Sequence, residues 1–291
     1  MARPFQGMRI LSLALNLPGP AALMRCRSLG ARCTKLEAPA RAGMSSDPMA
    51  SYSPQAYTAM HQGIRTVTAD LKTDAGQAVL HRELQRADLL LTSFRPSALK
   101  KLGLQWRSLH ARYPRLAVVQ IVGASGVHAE APGHDLTYMA ESGLVPGLDL
   151  PASLYADMGG ALLTSEAVLQ ARLLQLQSGQ GVRLEVALSD AARYLALPRD
   201  WGLTQPSGTV GGAHAGYRVY PCKDGRVALA ALEPHFVAAL CQQLGVPAAD
   251  AATMQTDTMH AAVARWMSDH TCQQIETISA RHDIPLCTMG L

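Results

Sequence analysis

The sequence contains few aromatic residues, little charge and no long basic segment. Aromatic residues make up 5% of the chain and charged residues 16%, and no run of Lys or Arg is longer than two. Proteins that bind single-stranded nucleic acid stack bases on aromatic side chains and hold the phosphates in a basic groove. We therefore expect no nucleic-acid partner. The net charge of +4 fits a small anionic ligand better.

The sequence also lacks the usual signs of a metal site, a signal peptide and a membrane span. Its six cysteines include no CxxC pair, so their spacing predicts free thiols and no metal site. The apolar segment 10–24 is interrupted by Pro18, Gly19 and Pro20, which leaves no span for a bilayer. We expect a soluble, cytoplasmic protein with no membrane partner.

Two common nucleotide-binding motifs, GxGxxG and GxxxxGK[ST], are also absent, so a Rossmann-like sheet in this chain need not bind NAD or ATP. The loop 18–22 follows the first predicted strand and opens a helix, whose free N–H groups could bind an anion. A plain connection between strand and helix explains the same residues. From spacing alone, we favour the plain connection.

Short apolar runs alternate with helical patterns through the first half of the chain. This alternation predicts βαβ units and an α/β fold with a parallel, doubly wound sheet. The predicted strands are 8–14, 33–36, 66–69, 88–92, 116–122 and 182–188. The predicted helices are 21–29, 74–85 and 152–177. The segment 41–54 has no periodicity and predicts a surface loop.

A segment dense in Gly, Pro, Thr and Ser, 198–216, predicts a linker between two domains. We therefore predict a large Rossmann-like domain over 1–197 and a small α+β domain over 217–291. The predicted elements of the small domain are strands 217–220 and 227–230 around the turn Lys223-Asp224-Gly225, a helix over 234–244 and two further helices.

Three acid/base side chains occupy unusual local positions. His134 follows a loop of small residues and precedes an apolar pattern, which makes it a candidate general base. Asp157 lies among small, apolar neighbours, where a carboxylate needs a partner or a function. Glu233 ends an apolar strand. The plain alternatives are a surface histidine beside an N-cap at Asp135 and a helix-start acid at Glu233, and periodicity cannot show that the three residues meet.

An ordered series of short motifs runs along the chain from about Gly7 to about Met289. The motifs are Gly7-Met8-Arg9-Ile10-Leu11, Pro18-Gly19-Pro20, Leu29-Gly30-Ala31, Lys35-Leu36-Glu37-Ala38-Pro39, Ala69-Asp70-Leu71-Lys72, Phe94-Arg95-Pro96, Leu102-Gly103-Leu104, Pro114-Arg115-Leu116, Gly133-His134-Asp135-Leu136, Ala156-Asp157, Gly179-Gln180-Gly181, Asp190-Ala191-Ala192 and Leu232-Glu233-Pro234. Through this series the sequence resembles the family III CoA-transferase (CaiB/BaiF) superfamily, and its motifs are most similar to those of α-methylacyl-CoA racemase.

The resemblance implies a large Rossmann-like domain, a smaller domain and two chains interlocked as a homodimer. It implies an acyl-CoA substrate, with coenzyme A as part of the substrate and no separate cofactor. Asp157 falls on the aspartate that transferases use as a nucleophile and racemases use as a base. His134 and Glu233 fall on the second base and the accompanying glutamate of racemases. Many transferases carry Tyr or Phe at the position of His134, which favours a racemase.

The resemblance also implies residues that bind coenzyme A. By its place in the motif, Arg95 resembles the phosphate-contacting arginine of the family, and Lys101 and Arg65 are further candidates. Asp135 and Tyr138 are expected to line the path of the pantetheine arm.

Two features depart from the family pattern. The usual Asn-Arg-Asn/Gly-Lys-Arg-Ser stretch is replaced by Gln62-Gly63-Ile64-Arg65-Thr66, which weakens the match of the CoA-binding face. Relatives continue for tens of residues past the position of Met289, so we expect the family's C-terminal return segment to be missing from this sequence.

Three functions stay open at this point. The first is a racemase of 2-methylacyl-CoA thioesters that moves the α-proton between His134 and Asp157. The second is a CoA-transferase that works through an acyl intermediate on Asp157. The third is an inactive homologue that binds CoA.

Overall fold

Two compact units make up the chain, Met1–Ala196 and Leu197–Leu291. A computed structural model describes residues 3–40 and 45–290 of them. Within these residues, no helix combines the length and the apolar character that crossing a bilayer requires.

The first unit contains a six-stranded sheet with the order β3-β2-β1-β4-β5-β6. Its strands are β1 (Arg9–Ser12), β2 (Arg32–Glu37), β3 (Arg65–Thr68), β4 (Leu89–Thr92), β5 (Ala117–Val122) and β6 (Arg183–Ala187). All neighbouring pairs are parallel, which confirms the predicted α/β fold with a doubly wound sheet. The strand order reverses between β1 and β4, and in such sheets the crevice beyond the carboxyl ends at this point is the usual ligand site.

Helices cover both faces of this sheet. They are α1 (Pro18–Ser28), α2 (Pro48–Tyr52), α3 (Pro54–His61), α4 (Asp74–Leu84), α5 (Pro96–Lys101), α6 (Trp106–Arg112), α7 (Asp135–Glu141), α8 (Tyr155–Ser178) and α9 (Leu188–Asp200). Side chains alternate along each strand: Leu89 and Leu91 pack in the cluster that contains α1 and α8, whereas Leu90 packs in the cluster that contains α4 and α6. Burial on both faces explains why β4 and β5 are apolar at every position except Thr92 and Gln120.

The sequence predicted a surface loop over 41–54. Residues 41–44 lie outside the described part of the chain, and residues 45–54 are not a loop throughout. Helix α2 (Pro48–Tyr52) lies within this segment, and α3 begins at its last residue, Pro54. The side chain of Asp47 accepts a hydrogen bond from the Met49 N–H, and that of Ser53 accepts one from the Ala56 N–H. A proline follows each of these N-caps at the first helical position. The prediction was wrong here because capping, and not apolar periodicity, specifies helices this short.

A buried ionic cluster anchors the segment that begins at Asp47. Lys35 and Asp47 have fully buried side chains and form an ion pair, and the Lys35 Nζ also lies 2.8 Å from Glu37 Oε1. Tyr57 donates a hydrogen bond of 2.7 Å to the same Glu37 oxygen. The second carboxylate oxygen of Asp47 accepts hydrogen bonds from the N–H groups of Asn16 and Met49, each 3.0 Å long. Asp47 therefore ties the loop after β1 to the start of α2.

The predicted linker 198–216 contains regular structure at its start and in its interior. Helix α9 runs to Asp200, and a 3₁₀ turn spans Thr209–Gly211. The intervening residues form hydrogen-bonded turns, such as Gly208 N–H to Gln205 O at 2.7 Å. These turns, rather than an extended chain, account for the density of Gly, Ser and Thr.

The second unit contains a three-stranded antiparallel sheet in the order β7-β8-β9. Its elements are β7 (Tyr217–Cys222), β8 (Gly225–Ala230), α10 (Pro234–Leu244), α11 (Asp257–Ser268), α12 (Cys272–His282) and β9 (Leu286–Gly290). The predicted hairpin and the helix over 234–244 are confirmed. Strand β9 was not predicted, because its half-buried residues show no clear alternation and only pairing with β8 defines it. Apolar residues of all three helices and of β8 form one core.

Candidate active site

A cavity of about 270 Å³ lies beyond the carboxyl ends of β1, β4, β5 and β6 in the first unit. Residues that follow these strands line it: Asn16, Ser93 and Gly123 from loops, and Leu188 at the start of α9. Four of the predicted site residues also line it: Arg95, His134, Tyr138 and Asp157. The fold therefore brings together a histidine and an aspartate that are separated by more than twenty positions in the sequence.

His134 stands at the N-cap of α7, with an extended backbone (φ −143°, ψ 169°). The alternative that Asp135 is the N-cap is thus wrong, because Asp135 is already the first helical residue. The Thr137 hydroxyl accepts a hydrogen bond of 3.1 Å from the His134 N–H and donates one of 2.7 Å to the His134 carbonyl. This pair of bonds fixes the backbone of His134, while its side chain stays exposed at the cavity.

Asp157 is the third residue of α8 and is half-buried. Its N–H donates a hydrogen bond of 2.9 Å to Oδ1 of Asp135. Two causes raise the pKa of the Asp157 carboxyl to about 7: burial, which is the larger, and the neighbouring Asp135 carboxylate. A carboxyl group with this pKa exchanges protons readily at neutral pH.

Asp135 was predicted to line the pantetheine path, but it is not among the residues that line the cavity. Its side chain is 4% exposed and accepts the bond from Asp157. Asp135, in the first turn of α7, therefore bonds to the first turn of α8 and holds the two helix starts together.

Tyr138 packs its hydroxyl against two glycine backbones of the cavity wall. A Cβ at Gly123 would lie 2.2 Å from the Tyr138 hydroxyl oxygen, and a Cβ at Gly133 would lie 2.4 Å from it. The small residues of the loop before His134 thus make room for this ring. Burial raises the pKa of Tyr138, the Asp157 and Glu141 carboxylates add to the increase, and Arg95 lowers the pKa.

The three predicted phosphate-binding cations do not converge. Arg95 is the exposed N-cap of α5 and lines the cavity with His134. Lys101 is the last residue of α5 and is not among the lining residues. Arg65 begins β3, is paired with Glu83, and lines a different cavity at the amino ends of β1 and β2.

Sequence patterns did not mark Asn16, in the loop after β1, as a residue of the cavity. Asn16 adopts a left-handed backbone with φ 65°, which asparagine tolerates better than most residues, and it lines the cavity. Leu15 N–H donates a hydrogen bond of 3.0 Å to the Ser93 hydroxyl, which joins this loop to the loop after β4.

Helix α1 begins with Pro18 and contains Pro20, so two of its first three residues have no N–H to offer an anion. This supports the plain connection between strand and helix.

Glu233 belongs to the second unit, where it is the exposed N-cap of α10. This position fits the simple interpretation of a helix-start acid. Its partnership with His134 stays a prediction.

The sequence matches the family described as CoA-transferase family III over residues 5–290. The chain belongs to CoA-transferase family III. Among family relatives, it is 32% identical over 209 residues to a probable fatty acyl-CoA transferase of Mycobacterium tuberculosis, covering 66% of this chain and 52% of that protein. It is 29% identical over 259 residues to the mouse α-methylacyl-CoA racemase, covering 83% of this chain and 65% of the racemase. It is also 29% identical over 269 residues to a succinate–glutarate CoA-transferase of Agrobacterium fabrum, covering 84% and 67%.

These family III relatives include both racemases and CoA-transferases, at similar identity. The chain spans about half to two thirds of their length, with 52% of the first and 65% of the second covered.

Solved structures of the family share the fold. A hypothetical protein of M. tuberculosis superposes with a TM-score of 0.84 at 24% identity, covering 98% of this chain and 84% of that one. A CaiB/BaiF family protein from Brucella suis gives a TM-score of 0.77 at 21% identity, covering 100% and 85%. The predicted family III fold is confirmed by this likeness.

Proposed function

We propose that the protein epimerises 2-methylacyl-CoA thioesters by exchanging the α-proton between His134 and Asp157. The observation that carries this proposal is that the imidazole and the carboxyl group line one cavity, with the pKa of Asp157 raised to about 7. Inversion needs one group to remove a proton and a second to return one on the opposite face, so a pair of proton-exchanging groups in one cavity suits the reaction.

In one direction the Asp157 carboxylate takes the α-proton while protonated His134 gives a proton to the other face. In the reverse direction neutral His134 is the base and the Asp157 carboxylic acid is the donor. The intermediate is the enolate of the thioester. Two lining residues can stabilise its oxygen: the Tyr138 hydroxyl, which its raised pKa keeps protonated, and the Arg95 guanidinium.

Incubation with one epimer of a 2-methylacyl-CoA in D₂O tests the proposal. We expect deuterium at the α-carbon together with the appearance of the other epimer. His134→Gln and Asp157→Asn should each abolish both signals, whereas His128→Gln, which changes an exposed histidine of the preceding 3₁₀ turn, should leave them unchanged. Absence of deuterium in the wild-type product would refute the epimerase.

CoA transfer is the second candidate, and the half-buried Asp157 carboxyl together with the similarity to CoA-transferases supports it. Here the Asp157 carboxylate attacks the thioester carbonyl and the CoA thiolate leaves, which gives a mixed anhydride. The thiolate then attacks the aspartyl carbonyl, releases the first acid and forms an aspartyl-CoA thioester. Exchange of CoA between an acyl-CoA and a free acid measures this activity. Loss of exchange in Asp157→Asn with retention in His134→Gln would favour transfer over epimerisation.

We propose further that the chain binds coenzyme A as part of its substrate and forms a homodimer, as the family resemblance suggests. Light scattering on the purified chain tests the dimer, and titration with CoA tests binding. Normal CoA affinity with neither α-proton exchange nor CoA transfer would identify an inactive homologue.

A further inference from the structure

Two cysteines and an aspartate of the second unit meet at one end of its small sheet. Cys222 ends β7, Asp224 lies in the turn between β7 and β8, and Cys272 is the first residue of α12. The two sulfur atoms are 3.5 Å apart, although fifty positions separate the cysteines in the sequence. Sequence spacing predicted no metal site because it can detect only ligands that are neighbours along the chain.

The carboxylate of Asp224 completes the cluster. Its Oδ1 lies 3.8 Å from the Cys222 sulfur and accepts a hydrogen bond of 2.7 Å from the Cys272 N–H. One potential ligand atom from each of the three residues lies within 4.8 Å of the others. The Cys272 sulfur also packs against Gly225, where a Cβ would lie 3.0 Å away, so the absence of a side chain at this position leaves room for the thiol.

These separations suit a tetrahedral cation. Two Zn–S bonds of about 2.3 Å at a tetrahedral angle separate the sulfurs by about 3.8 Å, close to the observed 3.5 Å. A disulfide, by contrast, needs the sulfurs at about 2.05 Å. Both thiols are half-buried and Asp224 is exposed, so an ion can reach the cluster from solvent.

Binding of a divalent cation through two thiolates leaves the net charge of the cluster unchanged. Both thiols release their protons to solvent, so two positive charges arrive as two leave.

We propose that Cys222, Asp224 and Cys272 form a binding site for a thiophilic divalent cation, with zinc as the expected metal. The site clamps the β7–β8 turn to the start of α12 and thereby stabilises the second unit. The proposal is independent of the reaction in the first unit.

Cobalt(II) is the probe of choice, because thiolate ligation gives a sulfur-to-cobalt charge-transfer absorption in the near ultraviolet. We expect the full chain, reduced with a phosphine, to bind one cobalt ion and to show this absorption, which zinc then removes by displacement. Cys222→Ser and Cys272→Ser should each abolish it. Cys287→Ser, which changes an exposed cysteine of the same unit, should leave it intact.

Asp224→Asn separates ligation from folding, because the amide oxygen can still accept the Cys272 N–H while the negative charge is lost. We expect the cobalt affinity to fall by about tenfold or more. Zinc should raise the Tm of the wild type and of Cys287→Ser, and not that of Cys222→Ser. The absence of a charge-transfer band, a band that persists in Cys222→Ser, or formation of a Cys222–Cys272 disulfide in place of metal binding would each overturn the proposal.

Discussion

The N–H of Asp157 donates a hydrogen bond of 2.9 Å to the carboxylate of Asp135, the residue that directly follows His134. This bond joins the first turn of α8 to the first turn of α7. It therefore sets the position of one proposed base relative to the other. The same contact brings a second carboxylate close to Asp157, and that proximity contributes to its raised pKa. Asp135 thus acts as a positioning residue and as an electrostatic one.

The first prediction concerns this electrostatic role. Asp135→Asn keeps an oxygen acceptor for the Asp157 N–H and removes the like charge, so the pKa of Asp157 should fall from about 7. The acidic limb of α-proton exchange should move to lower pH in the direction that uses Asp157 as the base. The midpoint of this limb should stay above the ordinary pKa of an aspartate, because burial is the larger cause of the raised pKa. Asp190→Asn, which changes a surface acid paired with Arg193, serves as the control. An unmoved limb would contradict the role of Asp135.

The second prediction concerns the stability cost of Asp157. The pKa of Asp157 is higher in the folded state than in the unfolded state, so protonated Asp157 stabilises the fold relative to the ionised form. This stabilisation is fully present below the unfolded pKa near 3.8 and is lost as the pH rises through about 7. Asparagine cannot ionise, so the Asp157→Asn variant does not lose this free energy as the pH rises. We expect the variant to gain up to about 4 kcal/mol in unfolding free energy relative to wild type between about pH 4 and about pH 8. Urea unfolding of both proteins at the two pH values measures the gain, and an equal difference at both would refute it.

The third prediction concerns the room that Gly133 leaves for Tyr138. In Gly133→Ala the new Cβ would lie 2.4 Å from the Tyr138 hydroxyl oxygen, so we expect a destabilisation of about 1–3 kcal/mol. Adding Tyr138→Phe removes the clashing oxygen and should restore part of this loss. Gly147→Ala is the matched control, because nothing lies within 4 Å of a Cβ at that position. Denaturant unfolding measures all four proteins, and equal effects of the two alanine substitutions would contradict the prediction.

The fourth prediction concerns the buried ion pair of Lys35 and Asp47. Asp47→Ala leaves the ammonium with one carboxylate partner fewer and frees the Asn16 and Met49 N–H groups. We expect a loss of about 3–5 kcal/mol in unfolding free energy. Asp190→Ala breaks an exposed pair and should cost at most about 1 kcal/mol. A similar cost for both substitutions, measured by urea unfolding, would show that the buried network contributes no more than a surface pair.

Local patterns alone predicted every described strand except β9, and they predicted half of the twelve described α-helices. Helix α10 begins at Pro234 and ends at Leu244, as predicted. Proline in the first turn and Gly245 after the last turn are signals that involve only a few neighbouring residues, so the sequence shows them directly. The largely apolar segments of β4 and β5 likewise predicted two strands of a parallel sheet. Helices α2 and α3 escaped prediction because their caps, and not their periodicity, define them.

The sequence by itself determined the alternation of strands and helices, and with it the α/β fold with a parallel sheet, because this alternation depends on neighbours a few positions apart. It also marked His134 and Asp157 as chemically unusual. Only the tertiary structure decided that these two residues line one cavity. It also decided that the buried Asp135 accepts a hydrogen bond from the Asp157 N–H, and that the sulfur of Cys222 lies close to that of Cys272. Each of these is a contact between distant segments, which depends on how the connections return to the sheet and leaves no local pattern in the sequence.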